Sequence, residues 1–526
     1  MAFPPDSLKK IDCSLGNPLF PLTSVANYAF REARKDLHRY QFLNAGRSDP
    51  SVCRVLDTLS DYFTARGIQP PHWSGLPYPH MLPVGGGTTA GFEMIVRYLA
   101  GDVEKENRRR LKEAIAPVKP AILMPVPTYG FFQDAAINAG LTIVPVHRDL
   151  QAGGILHFED VRAAILDAHK QGLRIVSFFD SNPNNPTGLV RGEKETRALA
   201  KLFDALSHHY QQQDTREGTP DNGQMILDLF DLGDLVLSRR NYRWEGPAGR
   251  VRIIDDMVYD GLEYGDEKPF SFAQIEECYK DCFVLFGTSK AGLANLRAGL
   301  VIGDSKDLYE LGQMQLRQEY FPPKTALHAL EGYFSLKDSF AGQRANHLQR
   351  MNKAHRLRGL LMKALVNGLG TMPETKPGDS KTLTNMLVRH TGKTRSECIA
   401  MLYDEIPGVK ILTTPQSGFF HLIDFGDLKG RQYPNHHTRS KRYGGMTDAE
   451  DGQALEDIFK NHLRLHMAGG GWMGLGNDSM ITRMTYAMPI PDIVAVAERL
   501  RAGVDIFGVP KAKPQSSPVS ILHAHP

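Results

Sequence analysis

The stretch LRIVSFFDSNPNNPTGLV (residues 173–190) decides the fold. Its first half is an almost unbroken apolar run rich in β-branched and aromatic residues. Such a run reads as a strand buried on both faces, as in a parallel sheet covered by helices. Its second half, with two Asn-Pro steps and a glycine, is a rigid turn at the strand's C-terminal end. In open α/β sheets that end is where ligands sit. An ordinary structural turn fits the same residues.

Working outward, the pattern repeats. AILMP (121–125) and TIVPV (142–146) read as strands upstream, and RVRIID (250–255) and CFVLFG (282–287) continue the series downstream. Between them, 158–170 reads as a helix with Phe158, Val161 and Ile165 on one face and Glu159 and Asp160 in its first turn. Earlier still, LPVGGGTTAGFEMIVRYL (82–99) reads as strand, glycine turn and helix, with Phe92, Ile95, Val96 and Leu99 on the apolar face. Strands alternating with helices predict an α/β protein with a mostly parallel sheet.

The chain's 526 residues exceed one hydrophobic core, so at least two domains are expected. The expected division is an N-terminal arm (1–45), a large domain (46–325) and a smaller α+β domain (326–507). The tail (508–526) is Pro- and Ser-rich, a composition of disordered segments. Residues 208–250 open polar and turn-rich, and read as an insertion or a mobile loop. From about 325 the pattern turns to long helices and then a strand-rich end, with a polar, Gly-rich surface excursion at 425–447.

A net charge of +3 over this length gives no reason to expect nucleic acid or an anionic membrane as partner. No stretch approaches the roughly 18–20 apolar residues of a membrane span. The N-terminus MAFPPDSLKK lacks the apolar core of a secretory signal. Five cysteines with no completed metal pattern read as buried or incidental thiols in a reducing compartment, and no metal is expected. The cytoplasm is the expected location.

Several segments carry groups suited to chemistry, each with a plain structural reading beside it. GGGTT (85–89) opens a helix, where exposed N–H groups and the hydroxyls of Thr88 and Thr89 suit a phosphate; it also reads as a simple turn. IIDDMVYDG (253–261) puts carboxylates at a strand end, with Tyr259 three residues after Asp256; acidic capping reads equally well. GTSKAGLANLRAGLVIG (287–303) holds Lys290 among small residues, where desolvation would lower its pKa; a solvated loop lysine is the plain alternative.

Taken in order, these segments resemble the fold-type I, class I/II aminotransferase family over roughly residues 12–490. The resemblance implies an aspartate aminotransferase-like fold, with a seven-stranded-type sheet, and pyridoxal 5'-phosphate as cofactor. It implies that Lys290 holds the cofactor as a Schiff base (an aldimine) and serves as general base. Asp256 would pair with the pyridine nitrogen, and Tyr259 and Asn185 with the ring oxygen. Tyr129, in PTYGFF (127–132), would stack on the ring. Gly87, Thr88, Thr89, Thr288, Ser289 and Arg297 would surround the phosphate. Gly16, in SLGNP (14–18), together with Asn185 and Arg483 of ITRMTYA (481–487) would border the substrate, Arg483 binding its α-carboxylate. SGFF (417–420) matches a small-domain strand. A homodimer follows from the same resemblance, with Tyr40 as the residue reaching the partner's phosphate.

The implied reaction is transfer of an amino group from an amino acid to a 2-oxo acid. The alternative is a lyase, decarboxylase or oxidase on the same scaffold. A ligand sensor on this fold would carry a DNA-binding segment ahead of it, and the resemblance begins too early for one. Three features depart from the family pattern: the Lys290–Arg297 spacing of seven rather than eight, Gly287 where many members have serine, and the long Asn185–Asp256 interval.

Overall fold

The computed structural model describes residues 8–36, 50–69, 80–215, 249–318, 322–434 and 446–507. A short strand, β1 (Ile11–Asp12), precedes seven strands that form one sheet: β2 (Met81–Gly85), β3 (Pro120–Val126), β4 (Thr142–His147), β5 (Arg174–Ser181), β6 (Arg252–Asp256), β7 (Cys282–Gly287) and β8 (Ala298–Ile302). Their order is β2-β8-β7-β6-β5-β3-β4. All neighbours are parallel except those of β8, which runs antiparallel to both β2 and β7. The aspartate aminotransferase-like α/β architecture expected from the sequence is the one observed.

Each strand supplies side chains to two cores, as strand alternation requires. On β7, Cys282, Val284 and Phe286 face one core, and Phe283 and Leu285 the other. On β5 the alternation slips. Ile175 and Phe178 share one core while Val176 and Phe179 share the other. The β3–β5 register skips Val176, so a bulge re-aims the rest of the strand.

The helix after the glycine turn spans Thr88–Lys112, well beyond the stretch ending at Leu99 that the sequence marked. Its extension, EKENRRRLK (104–112), has almost no apolar face, but pairs such as Arg109 with Glu106 (2.7 Å) and Glu113 (2.5 Å) support a solvated helix. Strand β8 also escaped the sequence reading, because AGLVI (298–302) lies inside a small-residue stretch read as loop. The 208–250 stretch is helical at its start, since helix Glu193–Thr215 runs through it. Tyr210 explains why: its ring is buried and its hydroxyl accepts the Ile175 amide at 3.0 Å. The remainder of that stretch up to 248, Tyr40, residues 435–445 and the tail lie outside the described residues.

The two cores that flank the sheet make up the first unit's core; a second unit's core gathers helices Asp338–Asn367, Asp379–Thr391, Arg395–Tyr403 and Ile490–Val504 around an antiparallel sheet. That sheet contains β9 (Lys410–Ile411), β10 (Phe420–Asp424), β14 (Ala468–Gly469) and β15 (Ile481–Thr485), in the order β14-β15-β10-β9. A hairpin of β11 (Gln432–Pro434) and β12 (Met446–Asp448) leaves it, and β13 (Leu465–His466) pairs with β1. The chain ends this unit on a helix, not on strands. Helix Lys324–Phe334 buries its apolar side chains in the first unit's core, so the two units part after Phe334 rather than at 325. The N-terminal segment bridges them. Ile11 and Cys13 belong to the second unit's core, whereas Leu22, Val25 and Ala29 belong to the first.

The sheet's geometry sets the site. Ser181 at the end of β5 lies opposite Asp256 at the end of β6. Gly287, ending β7, lies opposite Gly299, and Gly85, ending β2, lies opposite Ala298. Four strand ends and one strand start therefore meet at a single edge.

Candidate active site

At that edge Lys290 sits on a short turn, Ser289–Ala291, directly after β7. Its ammonium donates to the Gly16 carbonyl at 3.0 Å. The rings of Tyr259 and Phe419 lie 5.6 and 5.9 Å from Nζ. Burial, reinforced by the Arg483 cation, pulls the Lys290 pKa down to about 8. The desolvated lysine read from the sequence is the form found. Gly16 has no room for a side chain: a Cβ there would lie 2.3 Å from Phe420 Cζ.

Two adjacent aspartates end β6, and strand alternation gives them different surroundings. Asp255 is paired with Arg191 at 2.8 Å and accepts the Ser271 hydroxyl at 2.7 Å. Asp256 has no cation within ion-pair distance among the described residues. It accepts only from the Val258 amide and the Ser181 hydroxyl, both at 3.2 Å. Burial raises its pKa to about 7.

That shift has a sign that can be measured. Asp256 titrates near 3.8 when unfolded and near 7 when folded, so between those values the native state holds the extra proton. Stability contributed by this group therefore falls as pH rises from about 4 to about 7. Lys290 acts in the opposite sense, its contribution recovering as pH rises from about 8 toward 10.5. Thermal melts of the cofactor-free protein should show that Asp256→Asn flattens the decline between pH 4 and 7. An unchanged slope would contradict this environment for Asp256.

Asn185, from the rigid turn after β5, donates to the Tyr259 hydroxyl at 3.3 Å and accepts from Arg483 Nη1 at 3.0 Å. Burial pushes the Tyr259 phenol well up, so it is protonated across the working range. Arg483, on β15, is buried, and burial pulls its pKa down. Its Nη2 donates to the Ser14 carbonyl at 2.6 Å, while Nε has no partner. Among the described residues no carboxylate pairs with it. A buried guanidinium left without a carboxylate is costly unless an anion arrives. Aromatic faces surround it: Phe420 at 4.3 Å, Trp472 at 5.4 Å and Tyr129 at 6.0 Å.

The glycine turn lies on the other side. Gly86 and Gly87 have positive φ (87° and 79°), the conformation glycine adopts without strain. Arg297 donates to the Gly86 carbonyl at 2.6 Å, and a Cβ at Gly299 would lie 2.6 Å from the Gly87 carbonyl carbon. Thr88 and Thr89 start the 25-residue helix here, whose first-turn amides have no intrahelical partner and whose N-terminal end carries the positive pole of the helix dipole. Thr288 is buried with its hydroxyl unpartnered, and Ser289 is buried beside it. Tyr129 caps the next helix, Gly130–Asn138, and stands edge-on to Trp472 at 5.2 Å.

The structure thus brings Gly16, Asn185, Asp256, Tyr259, Lys290 and Arg483 into one neighbourhood, with the glycine turn and Arg297 beside it, whereas Tyr40 lies outside the described residues. The unpaired Asp256 carboxylate, the orphaned Thr288 hydroxyl, the glycine cradle with Arg297 and the desolvated Lys290 fit a group with a cationic ring nitrogen, a phosphate and an aldehyde. The residues present fit pyridoxal phosphate. The sequence reading missed Ser181, the Ser14 carbonyl, Phe420 and Trp472. Ser181 was legible as the neighbouring strand end. Trp472 gave no signal, since GGGW (469–472) reads as a plain turn. It reaches the site because Gly130 has no side chain, a Cβ there meeting the Trp472 carbonyl at 2.3 Å. Among the described residues no group of three His, Cys, Asp or Glu could hold a metal ion, and all five cysteines are free.

Residues 104–210 match the family described as aminotransferase class I and II, a stretch that includes Tyr129 and Asn185. Tomato (Solanum lycopersicum) 1-aminocyclopropane-1-carboxylate synthase 3 is 28% identical over 141 residues, 27% of this chain and 29% of that protein. Arabidopsis thaliana mitochondrial alanine aminotransferase 1 is 31% identical over 88 residues, 17% and 16% of the two chains. The matches thus span under a third of these relatives' length. Among solved structures, the aspartate aminotransferase of Rhizobium meliloti superposes with a TM-score of 0.61 at 15% identity, covering 95% of this chain and 92% of that one. The aromatic aminotransferase of Pyrococcus horikoshii gives 0.59 at 15% identity, covering 94% and 96%. The chain has the aspartate aminotransferase-like fold, its residues 104–210 match the class I and II aminotransferase family, and its site residues fit pyridoxal phosphate.

Proposed function

We propose that the protein is an aminotransferase that moves the amino group of an amino acid to a 2-oxo acid. The observation that carries this reading is Arg483, a buried cation without a carboxylate, held by Asn185 and Ser14 in the site that contains the desolvated Lys290. Arg483 offers a planar fork to a substrate α-carboxylate. Binding there disfavours loss of that carboxylate as CO₂ and leaves the Cα proton as the group to be moved.

Lys290, uncharged in an accessible fraction near neutral pH, takes that proton from Cα. Pyridoxal phosphate, when bound, supplies an electron sink for the Cα electron pair. Asp256 would face the ring nitrogen, whose positive charge would offset the burial that raises the carboxyl's pKa, while Tyr259 and Asn185 would hydrogen-bond the ring oxygen. Tyr129 would stack on the ring. Gly87, Thr88, Thr89, Thr288, Ser289 and Arg297 would hold the phosphate. The Gly16 carbonyl holds the Lys290 amine.

A single turnover tests this reading. With a reacting amino acid and no 2-oxo acid, one equivalent of oxo acid per site should form, and turnover should resume only when a 2-oxo acid is added. The synthase names among the relatives favour a second reading, a lyase. Continued turnover without a 2-oxo acid would support it and overturn ours. Arg483→Lys keeps the charge but loses the fork. It should lower kcat/KM by roughly 10²-fold or more, the scale of a lost buried carboxylate contact, with a smaller change in cofactor absorbance. Unchanged kcat/KM would remove Arg483 from substrate binding.

The same proposal includes a homodimer. Leu15, beside the substrate-bordering Gly16, and Phe131, packed on Trp472, are apolar yet 58% and 52% exposed, a surface suited to a second copy. An active monomer in sedimentation would contradict it.

A further inference from the structure

A groove of about 360 Å³ lies apart from the site above, between helix Asp338–Asn367 and the loop at Tyr264–Glu267. Its volume falls at the lower end of the roughly 300–1,000 Å³ of small-molecule sites. Arg356 and Lys363, seven residues apart, lie on one face of the helix and line one wall. Both are already engaged: Arg356 with Asp379 at 2.7 Å, and Lys363 with Glu374 at 2.6 Å and the Thr414 hydroxyl at 2.7 Å. Lys376, which also lines the groove, has no ion pair within 4 Å among the described residues, nor do Asp266 and Glu267 of the loop. The Lys376 charge also acts on Asp379, which Arg356 already pairs, and the Glu267 carboxylate lies against Gly192, so the groove presents Lys376 and Asp266 as its free cation and anion. A plain anion meets Asp266, and a polyamine meets Lys376. A molecule with one carboxylate and one ammonium complements both.

One wall of the groove is hydrogen-bonded to the turn that follows Asn185. Gln416, in its wall, donates its backbone amide to the Gly188 carbonyl at 2.9 Å and accepts the Val190 amide on its side chain at 2.9 Å. A Cβ at Gly188 would lie 2.5 Å from Pro415 Cβ, so the two segments are packed tightly. The turn clamped in this way is the one that carries Asn185, the partner of Arg483 and Tyr259.

We propose that this groove is a regulatory site for a second, non-reacting amino acid zwitterion. The ligand's carboxylate faces Lys376 and its ammonium faces Asp266. Contact with the Thr414–Gln416 wall transmits occupancy to Asn185.

The test uses borohydride-reduced holoenzyme of the Arg483→Lys variant, in which the substrate's carboxylate contact is weakened. Each of the twenty L-amino acids is added separately and thermal unfolding is followed. At least one should raise Tm by about 2 °C or more. The same amino acid should give no shift when Lys376→Glu or Asp266→Lys is added. Both positions are exposed, so neither change should itself unfold the protein. Absence of any stabilising amino acid, or a shift that survives either reversal, would overturn the proposal.

Discussion

Lys290→Ala is expected to lower turnover by roughly 10⁴-fold, the upper end of what a positioned acid–base group contributes. The loss has two parts: the amine that holds the cofactor covalently and the base that moves the Cα proton. They separate by rescue. An added small primary amine should restore part of the proton transfer in Lys290→Ala without restoring covalent attachment. Turnover within tenfold of the parent enzyme would place the base elsewhere. Arg483 stays in place in this variant, so substrate binding, measured by quenching of the cofactor's absorbance, should weaken far less than turnover.

Asp256→Asn should cut the chemical step by roughly 10²-fold or more while cofactor remains bound, because a buried negative charge is replaced by a neutral amide. The neighbouring aspartate provides the contrast. Asp255→Asn leaves Arg191 partly unpaired in a buried network that also includes Asp180 and Arg148. It should cost about 3–5 kcal/mol of stability, with a smaller effect on the chemical step. Equal kinetic losses at the two positions would mean that the carboxylates do not have the separate roles their contacts indicate. The cofactor absorbance of Asp256→Asn should also change its pH dependence, a signature that a general loss of packing would not produce.

The legible parts of the fold were those where chemistry and periodicity coincide. The strands β3, β5, β6 and β7 are apolar runs because both faces are buried, so burial writes itself into composition, while the edge strand β4 buries fully only Val144 and Val146. The turn at 181–190 and the Lys290 segment were legible because proline, glycine and hydroxyl residues are punctuation at strand ends. Strand β8 was not legible. Gly299 lies against the Gly87 backbone, and a larger residue that would have signalled a strand cannot fit there. The length of helix Thr88–Lys112 was hidden for a related reason, since its second half is held by ion pairs rather than by an apolar stripe. The sequence assigned Asp256 rather than Asp255 only through the family resemblance, and the physical contrast between them required the structure. The sequence places them side by side, and only the position of Arg191 shows which one is already neutralised. Trp472 arrives at the site through tertiary contact with Gly130, 342 positions away in sequence, and no local pattern announces such a contact.

The most direct measurement of the central claim is borohydride reduction of the purified, cofactor-loaded protein, followed by peptide mapping. The cofactor should be found fixed to the peptide that contains Lys290, with one equivalent per chain. Attachment to any other lysine, or no attachment with the cofactor still bound, would contradict the assignment of this site.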